Sequence, residues 1–149
     1  MISEQDVSAV VDVLRSDFLT QGPKVEAFEA AFCDRLGVSA AVAMNSATSA
    51  LHAACLALGL GPGDTLWTSP NTFVASANCA IYCGANVDFV DIDPHTFNMS
   101  IAKLEEKLIA AAGANSLPKI VIPVHFGGNP CDMRRLKQLS IKYGFYIIE

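Results

Sequence analysis

Hydrophobic positions along the chain follow two periods, and these periods predict an alternation of helices and strands. Apolar residues three or four positions apart predict helices after Ser3, from Pro23 to Gly37, and over residues 47–58, 73–82, 100–108 and 133–141. Short apolar runs predict buried strands over residues 39–44, 65–68, 87–90, 120–124 and 145–148. Because helical and strand segments alternate, the pattern predicts an α/β fold with a mostly parallel sheet and flanking helices.

The N-terminal region is predicted to be helical and separate from the sheet. Ser3 can cap a first helix, with Asp6 three residues later, and Pro23 suits the first turn of a second helix that Gly37 ends. We therefore expect residues 1–38 to form an N-terminal helical segment and residues 39–149 to form the α/β domain.

Composition narrows the class of protein. Hydrophobic residues make up 52% of the 149 residues and charged residues 17%, which suits a sheet buried on both faces. The formal net charge is -5 and no basic stripe occurs, which argues against nucleic-acid binding. No apolar run is long enough to cross a bilayer, and the N-terminus lacks the features of a signal peptide, so we expect a cytoplasmic protein without a membrane partner.

The five cysteines show no C-x-x-C spacing, and we expect reduced thiols that pack as small core residues. Asp88, Asp91 and Asp93 cluster around one strand end, where an Asx-type turn at Asp93-Pro94 is the favoured reading over a metal site. We therefore expect no metal.

The segment most informative about function is residues 45–51, with the sequence NSATSAL. It follows a predicted strand and opens a helix, so free N–H groups of the first turn and the helix dipole would attract an anion. Ser46, Thr48 and Ser49 add hydroxyl donors. The pattern predicts a phosphate cradle, and the alternative is a Ser/Thr cap on an ordinary helix.

Two further loops follow predicted strands. Phe73 could stack on a flat cofactor at the carboxyl end of the sheet, or it could be an ordinary core residue. His125 could contact a ligand, or it could hydrogen-bond the backbone of its own loop. The chain has no G-x-x-x-x-G-K-[ST], no G-x-G-x-x-G after a strand, and no catalytic triad motif.

Taken together, these segments resemble the DegT/DnrJ family of sugar aminotransferases, which have the type I fold of pyridoxal-phosphate (PLP) enzymes. The resemblance spans the whole chain. It is carried by residues 17–23 (DFLTQGP), 28–29 (FE), 45–51 (NSATSAL), 72–76 (TFVAS), 90–93 (VDID) and 123–125 (PVH). Within the family, residues 16–24 and 98–100 are most similar to the C4 aminotransferases of pseudaminic acid biosynthesis.

The resemblance implies a cofactor, pyridoxal 5'-phosphate, and a set of residue roles. Ser46, Ala47 and Thr48 match the segment that holds the cofactor phosphate, although the family more often has glycine where this chain has Ala47. Phe73 matches the aromatic residue that stacks on the pyridine ring. Leu19, Thr20 and Gln21 match a loop that meets the sugar-nucleotide substrate.

The resemblance also implies an activity. Such enzymes transfer an amino group, usually from glutamate, to a ketone of a nucleotide-linked deoxysugar, here expected to be the C4 ketone of a UDP-linked 4-keto-6-deoxy sugar, and they act as homodimers. None of the six lysines lies in the family's Schiff-base context. We therefore expect an N-terminal portion of the PLP-binding domain, without a catalytic residue of its own and inactive in isolation. The alternatives are a PLP-dependent sugar dehydratase relative, a non-catalytic fragment, and a generic nucleotide binder.

Overall fold

The computed structural model describes residues 1–149, which divide into two compact units, Met1–Met44 and Asn45–Glu149. The first unit contains two helices, α1 (Glu4–Leu14) and α2 (Pro23–Leu36). The second unit contains helices and strands in the order α3 (Ala47–Ala57), β1 (Thr65–Thr68), α4 (Ala75–Tyr82), β2 (Asn86–Phe89), α5 (Ile101–Gly113), β3 (Ile120–Ile122), α6 (Met133–Tyr143) and β4 (Tyr146–Ile147). No helix combines the length and the apolar character needed to span a bilayer.

The ends of α1 and α2 follow from local sequence. Ser3 and Asp6 form a capping box, in which the Ser3 hydroxyl accepts from Asp6 N–H and the Asp6 carboxylate accepts from Ser3 N–H. Pro23 occupies the first turn of α2, and Gly37 ends the helix at φ 66°, a left-handed conformation that glycine adopts without a steric penalty. The predicted bounds of these helices are confirmed, and neither helix contains a buried residue.

The second unit is built on a four-stranded parallel sheet in the order β2-β1-β3-β4. β1 pairs with both β2 and β3, in a register that places Trp67 opposite Asp88 on one side and Val121 on the other. All four strands therefore end at the same edge of the sheet, which is where ligands bind in open α/β folds.

Each face of the sheet has its own apolar core. Trp67 and Val121 face the buried Leu104 of α5 and Leu136 of α6 in one cluster. Leu66 belongs to a second cluster, with Ile120, Cys55 of α3, and Cys79 and Ala80 of α4. Since successive side chains of a strand point to opposite faces, this alternation explains why these strands read as continuous hydrophobic runs.

Two expectations from the sequence are wrong. Residues 39–44 form no strand, and Val42 and Met44 are exposed. The segment lies in the first unit and its only side-chain-to-backbone bond is from Ala43 N–H to Glu29 Oε1, at 2.7 Å. The helix expected from residue 73 begins at Ala75, so Phe73 lies in the loop before it.

Candidate functional site

The candidate cofactor site starts at the first turn of α3. Ser46 is extended (φ -162°, ψ 156°), and its Oγ accepts from Ser49 N–H at 3.2 Å. The first intrahelical bond runs from Ala50 N–H to Ser46 O, so the N–H groups of Ala47 and Thr48 have no partner within the helix. The turn is exposed at Ser46 and Ala47 and half-buried at Thr48. Ser46 thus caps one amide and leaves two available to a ligand.

This turn is directed toward the edge where the strands end. The C-terminus of α3 leads into the start of β1, which lies at the opposite, amino edge of the sheet. At that amino edge Lys119, just before β3, donates from Nζ to Gly59 O at 2.6 Å. α3 lies over the sheet, because Leu51 and Cys55 pack against the cluster that contains Ile120. Its N-terminus, with the positive end of the helix dipole, therefore lies toward the carboxyl edge.

The loop between β1 and α4 contributes an aromatic ring and hydroxyl groups at that edge. Phe73 is 75% exposed, so its ring is not a core residue of this chain. Thr72 Oγ1 and Ser76 Oγ lie 2.8 Å apart and share a hydrogen bond. Ser69 is 1% exposed, and its Oγ has no hydrogen-bond partner. An open aromatic face and an unsatisfied buried hydroxyl are features that a bound ligand would explain.

The predicted ligand set fits pyridoxal phosphate. Two free amides at a helix N-terminus suit a dianionic phosphate ester, and an uncommitted phenyl ring suits a planar heterocycle. The Cβ of Ala47 adds little bulk at a position that is already exposed. These residues belong to one compact unit, Asn45–Glu149.

His125 makes two side-chain hydrogen bonds. Its Nδ1 accepts from Cys131 N–H at 3.0 Å, and its Nε2 lies 2.9 Å from Glu149 Oε1. The sequence left two roles open for His125, contact with a ligand and a hydrogen bond to the backbone of its own loop. The bond from Cys131 N–H is the second of these.

The aspartates after β2 are committed to their own loop. Asp93 Oδ1 accepts from His95 N–H and from Thr96 N–H, both at 2.9 Å, which is the expected Asx-type turn. These bonds, with that from Thr96 as the largest cause, lower the pKa of the Asp93 carboxyl below 3.8. Asp91 Oδ1 accepts from Ile92 N–H at 2.8 Å.

The loop predicted to meet the substrate lies in the other unit. Leu19, Thr20 and Gln21 line an open groove of about 250 Å³ between α1 and α2, together with Phe18. Gln21 has φ 51°, an unusual conformation for a residue other than glycine. The roles of these three residues, like those of Ser46, Ala47, Thr48 and Phe73, remain predictions.

Asn98 and Glu149 bear on the site and were not foreseen. Asn98 is 5% exposed and joins two loops at the carboxyl edge, donating from Nδ2 to Asn129 O at 2.9 Å and accepting at Oδ1 from Phe126 N–H at 2.8 Å. Both residues act across more than twenty positions of sequence, so no local pattern could reveal them.

The fold is an α/β fold, and the candidate site places a helix N-terminus at the carboxyl edge of its parallel sheet. The chain belongs to the DegT/DnrJ/EryC1/StrS aminotransferase family, whose model matches residues 1–149. The resemblance inferred from the sequence is thereby confirmed at the level of the family.

Individual relatives agree with this assignment. The chain is 41% identical, over all 149 residues, to the spore coat polysaccharide biosynthesis protein SpsC of Bacillus subtilis (strain 168). An aminotransferase structure from Psychrobacter cryohalolentis superposes with a TM-score of 0.86 at 32% identity and covers 100% of the chain. The PLP form of Spr1654, a putative sugar aminotransferase from Streptococcus pneumoniae, superposes with a TM-score of 0.84 at 33% identity and covers 98% of the chain.

The chain spans 37% of SpsC, 37% of the Psychrobacter chain and 36% of the Spr1654 chain. The predicted α/β fold with a parallel sheet and flanking helices is confirmed by these structures. The predicted cofactor is that of the Spr1654 structure, and NtdA from Bacillus subtilis carries the related pyridoxamine phosphate (PMP).

Proposed function

We propose that this chain provides the phosphate- and ring-binding part of a PLP-dependent aminotransferase that acts on a nucleotide-linked sugar. The observation that carries the proposal is the first turn of α3, where the amides of Ala47 and Thr48 have no intrahelical partner. That turn is directed toward the sheet edge at which Phe73 is exposed. Membership of an aminotransferase family indicates which reaction these residues would support, the transfer of an amino group.

Each residue of the cradle has a distinct task in this proposal. The N–H groups of Ala47 and Thr48 donate to the phosphate, and the Thr48 hydroxyl adds a third donor. Ser46 keeps the turn in shape through its bond to Ser49 N–H. Phe73 covers one face of the pyridine ring and excludes water from it. The cofactor, when bound, supplies the electron sink for amino-group transfer, while these residues only hold and orient it.

The substrate is proposed to be a UDP-linked 4-keto-6-deoxy sugar, aminated at C4 with glutamate as amino donor. Leu19, Thr20 and Gln21 would contact it, and the complete enzyme would be a homodimer. Support comes from the sequence match of residues 16–24 to C4 aminotransferases of pseudaminic acid biosynthesis. The similarity to SpsC, a protein of polysaccharide biosynthesis, agrees with a sugar substrate.

The chain by itself is proposed to be inactive, because its lysines are engaged elsewhere or lie on exposed surfaces. Lys107 pairs with Asp88, and Lys119 pairs with Asp64. Lys103 pairs with Glu106, while Lys24, Lys137 and Lys142 are exposed. Amination of a UDP-linked keto sugar by the purified chain, with glutamate and PLP, would contradict this part of the proposal.

Binding of PMP tests the cradle directly. This cofactor form has no aldehyde, so it cannot form adducts with surface lysines, and its binding can be followed by fluorescence. We expect the chain to bind PMP, to bind unphosphorylated pyridoxamine far more weakly, and to release PMP when inorganic phosphate is added. Equal affinity for the two pyridoxamines would overturn the phosphate assignment.

The substitution Ala47→Pro isolates one donor. Proline is accepted at the first position of a helix, and the extended Ser46 suits a following proline, so the fold is retained while one N–H is removed. We expect a loss of PMP affinity of about tenfold, the effect of one hydrogen bond to a charged group. Glu4→Pro, at the same position of α1 behind the cap Ser3, is the matched control and leaves affinity unchanged.

A further inference from the structure

His125 joins two segments that both follow strands of the sheet. β3 and β4 are parallel neighbours, with Val121 opposite Ile147, so the residues beyond Ile122 and Ile148 emerge side by side. His125 lies three residues past the end of β3, and Glu149 directly follows Ile148, whose N–H donates to Val121 O at 3.2 Å. The 2.9 Å contact between His125 Nε2 and Glu149 Oε1 therefore ties the carboxyl ends of two adjacent strands together.

The second bond of the ring fixes its protonation state. Cys131 N–H can only donate, so His125 Nδ1, 3.0 Å away, must be the unprotonated nitrogen. The hydrogen of a neutral imidazole is then on Nε2, and it points to the Glu149 carboxylate. The contact is consequently a hydrogen bond from a neutral ring to a carboxylate, and an imidazolium could not make both bonds.

The loop that holds the ring is itself well anchored. Cys131 is 6% exposed, and its Sγ donates to Val124 O at 3.3 Å. Burial, as the largest cause, and the nearby Glu149 charge raise the pKa of the Cys131 thiol, which keeps it protonated as a donor. The buried Asn98 braces the same loop from the β2 side through Phe126 N–H and Asn129 O. His125 thus projects from a rigid support.

We propose that His125 is a positioning residue, which in its neutral Nε2–H form holds the Glu149 carboxylate and the carboxyl end of β4 at the edge of the candidate cofactor site. Its consequence for cofactor binding rests on the proposed function, whereas the positioning itself does not. The bonding pattern of the ring alone defines this task.

Two substitutions separate the two bonds of the ring. His125→Asn keeps an acceptor near the Nδ1 position for Cys131 N–H, but its side chain is too short to reach Glu149. His125→Gln places a donor near the Nε2 position for Glu149 and gives up the acceptor for Cys131. If His125 only supports its own loop, the amide exchange of Ile148 in His125→Asn should match that of the parent. If His125 positions β4, the exchange in His125→Gln should match that of the parent instead.

The test uses nitrogen-15 NMR of histidine side chains and amide hydrogen exchange on the 149-residue chain. We expect the Nε2–H tautomer for His125, with the exposed His95 as an internal reference. We expect exchange at Ile148 N–H to be about tenfold faster in His125→Asn and near the parent value in His125→Gln. An Nδ1–H tautomer, an imidazolium at neutral pH, or an unchanged Ile148 in His125→Asn would each overturn the proposal.

PMP binding supplies the readout that links positioning to the site. We expect His125→Asn to bind PMP more weakly than the parent and His125→Gln to restore most of the affinity. Equal affinities in the parent and both variants would refute a contribution to cofactor binding. If the parent binds no PMP, the proposed function fails, and the tautomer and exchange results still decide whether His125 positions β4.

Discussion

Two adjacent residues at the carboxyl end of β1 have buried hydroxyl groups with opposite hydrogen-bond status. Thr68 Oγ1 donates to Ile122 O at 3.0 Å, whereas Ser69 Oγ has no partner. A buried polar group without a partner costs about 1–3 kcal/mol, so Ser69→Ala is expected to raise the free energy of unfolding by about 1 kcal/mol. Urea unfolding with an unchanged m-value measures this difference.

Thr68→Val is the matched control for that prediction. It removes a buried hydrogen bond in nearly the same volume, so we expect it to lower the free energy of unfolding by about 1–2 kcal/mol. A Ser69→Ala variant that is destabilised to the same extent would show that the Ser69 hydroxyl has a buried partner after all. Stabilisation by Ser69→Ala, in the same loop as Phe73, would instead fit a group retained for ligand binding.

At the scale of elements, Lys119 joins the start of β3 to the turn between α3 and β1. Its Nζ donates to Gly59 O at 2.6 Å and to Asp64 Oδ2 at 2.8 Å, and Asp64 also accepts from Gly61 N–H at 3.0 Å. The hydrogen bond from Lys119, as the largest cause, and that from Gly61 lower the pKa of the Asp64 carboxyl below 3.8.

This depressed pKa sets the direction of a pH dependence. Below 3.8 the unfolded chain takes up a proton at Asp64 before the folded protein does, so the stability from this pair is present at neutral pH and is lost as the pH falls through the lowered pKa. We expect the parent to lose more stability between about pH 7 and about pH 3 than Lys119→Met loses. Urea unfolding at the two pH values measures the difference, and Lys119→Arg serves as the charge-retaining control.

The sequence predicts those elements best that are determined by interactions between residues close together in the chain. Helix ends at Ser3, Gly37 and Ser100 are predictable because a cap bonds within three or four residues. Residues 39–44 have the composition of a strand, but a strand also needs a neighbour to accept its backbone bonds, and the sequence carries no sign of whether one is present.

In the candidate site, too, the locally determined parts could be predicted and the long-range contacts could not. The turn at Ser46 could be predicted because capping and dipole are properties of one helix end, and the loop that contains Phe73 because it follows a buried strand. The link between His125 and Glu149 spans 24 positions, and that between Asn98 and Asn129 spans 31. Such contacts depend on strand order, which a single sequence does not specify.

At the scale of the whole molecule, the two units differ in how much apolar surface they bury. No residue of α1 or α2 is buried, whereas Leu104 and Leu108 of α5 are fully buried. Isolated helices of this length are marginal in water, since most helical stability comes from packing. We expect amide hydrogens of Pro23–Leu36 to exchange much faster than those of Ile101–Gly113.

Hydrogen exchange followed by mass spectrometry of peptic peptides tests this difference between the units. Equal protection in the two helices would contradict this prediction, and α2 would then be either stable by itself or covered by a second copy of the chain. Dilution of the sample distinguishes self-association from intrinsic helix stability, because only the former depends on concentration.

The buried thiols between α3 and α4 can be used to measure how often these two helices separate. Cys55 is 0% exposed, and burial, together with the neighbouring Cys79, raises its pKa to about 12. Because only the thiolate is nucleophilic, an alkylating reagent at neutral pH can reach Cys55 only when α3 detaches from α4, whereas the half-buried Cys33 is alkylated earlier. The rate of Cys55 alkylation would therefore record how frequently α3, with its proposed phosphate-binding turn, separates from α4, and a ligand bound at that turn should slow the reaction.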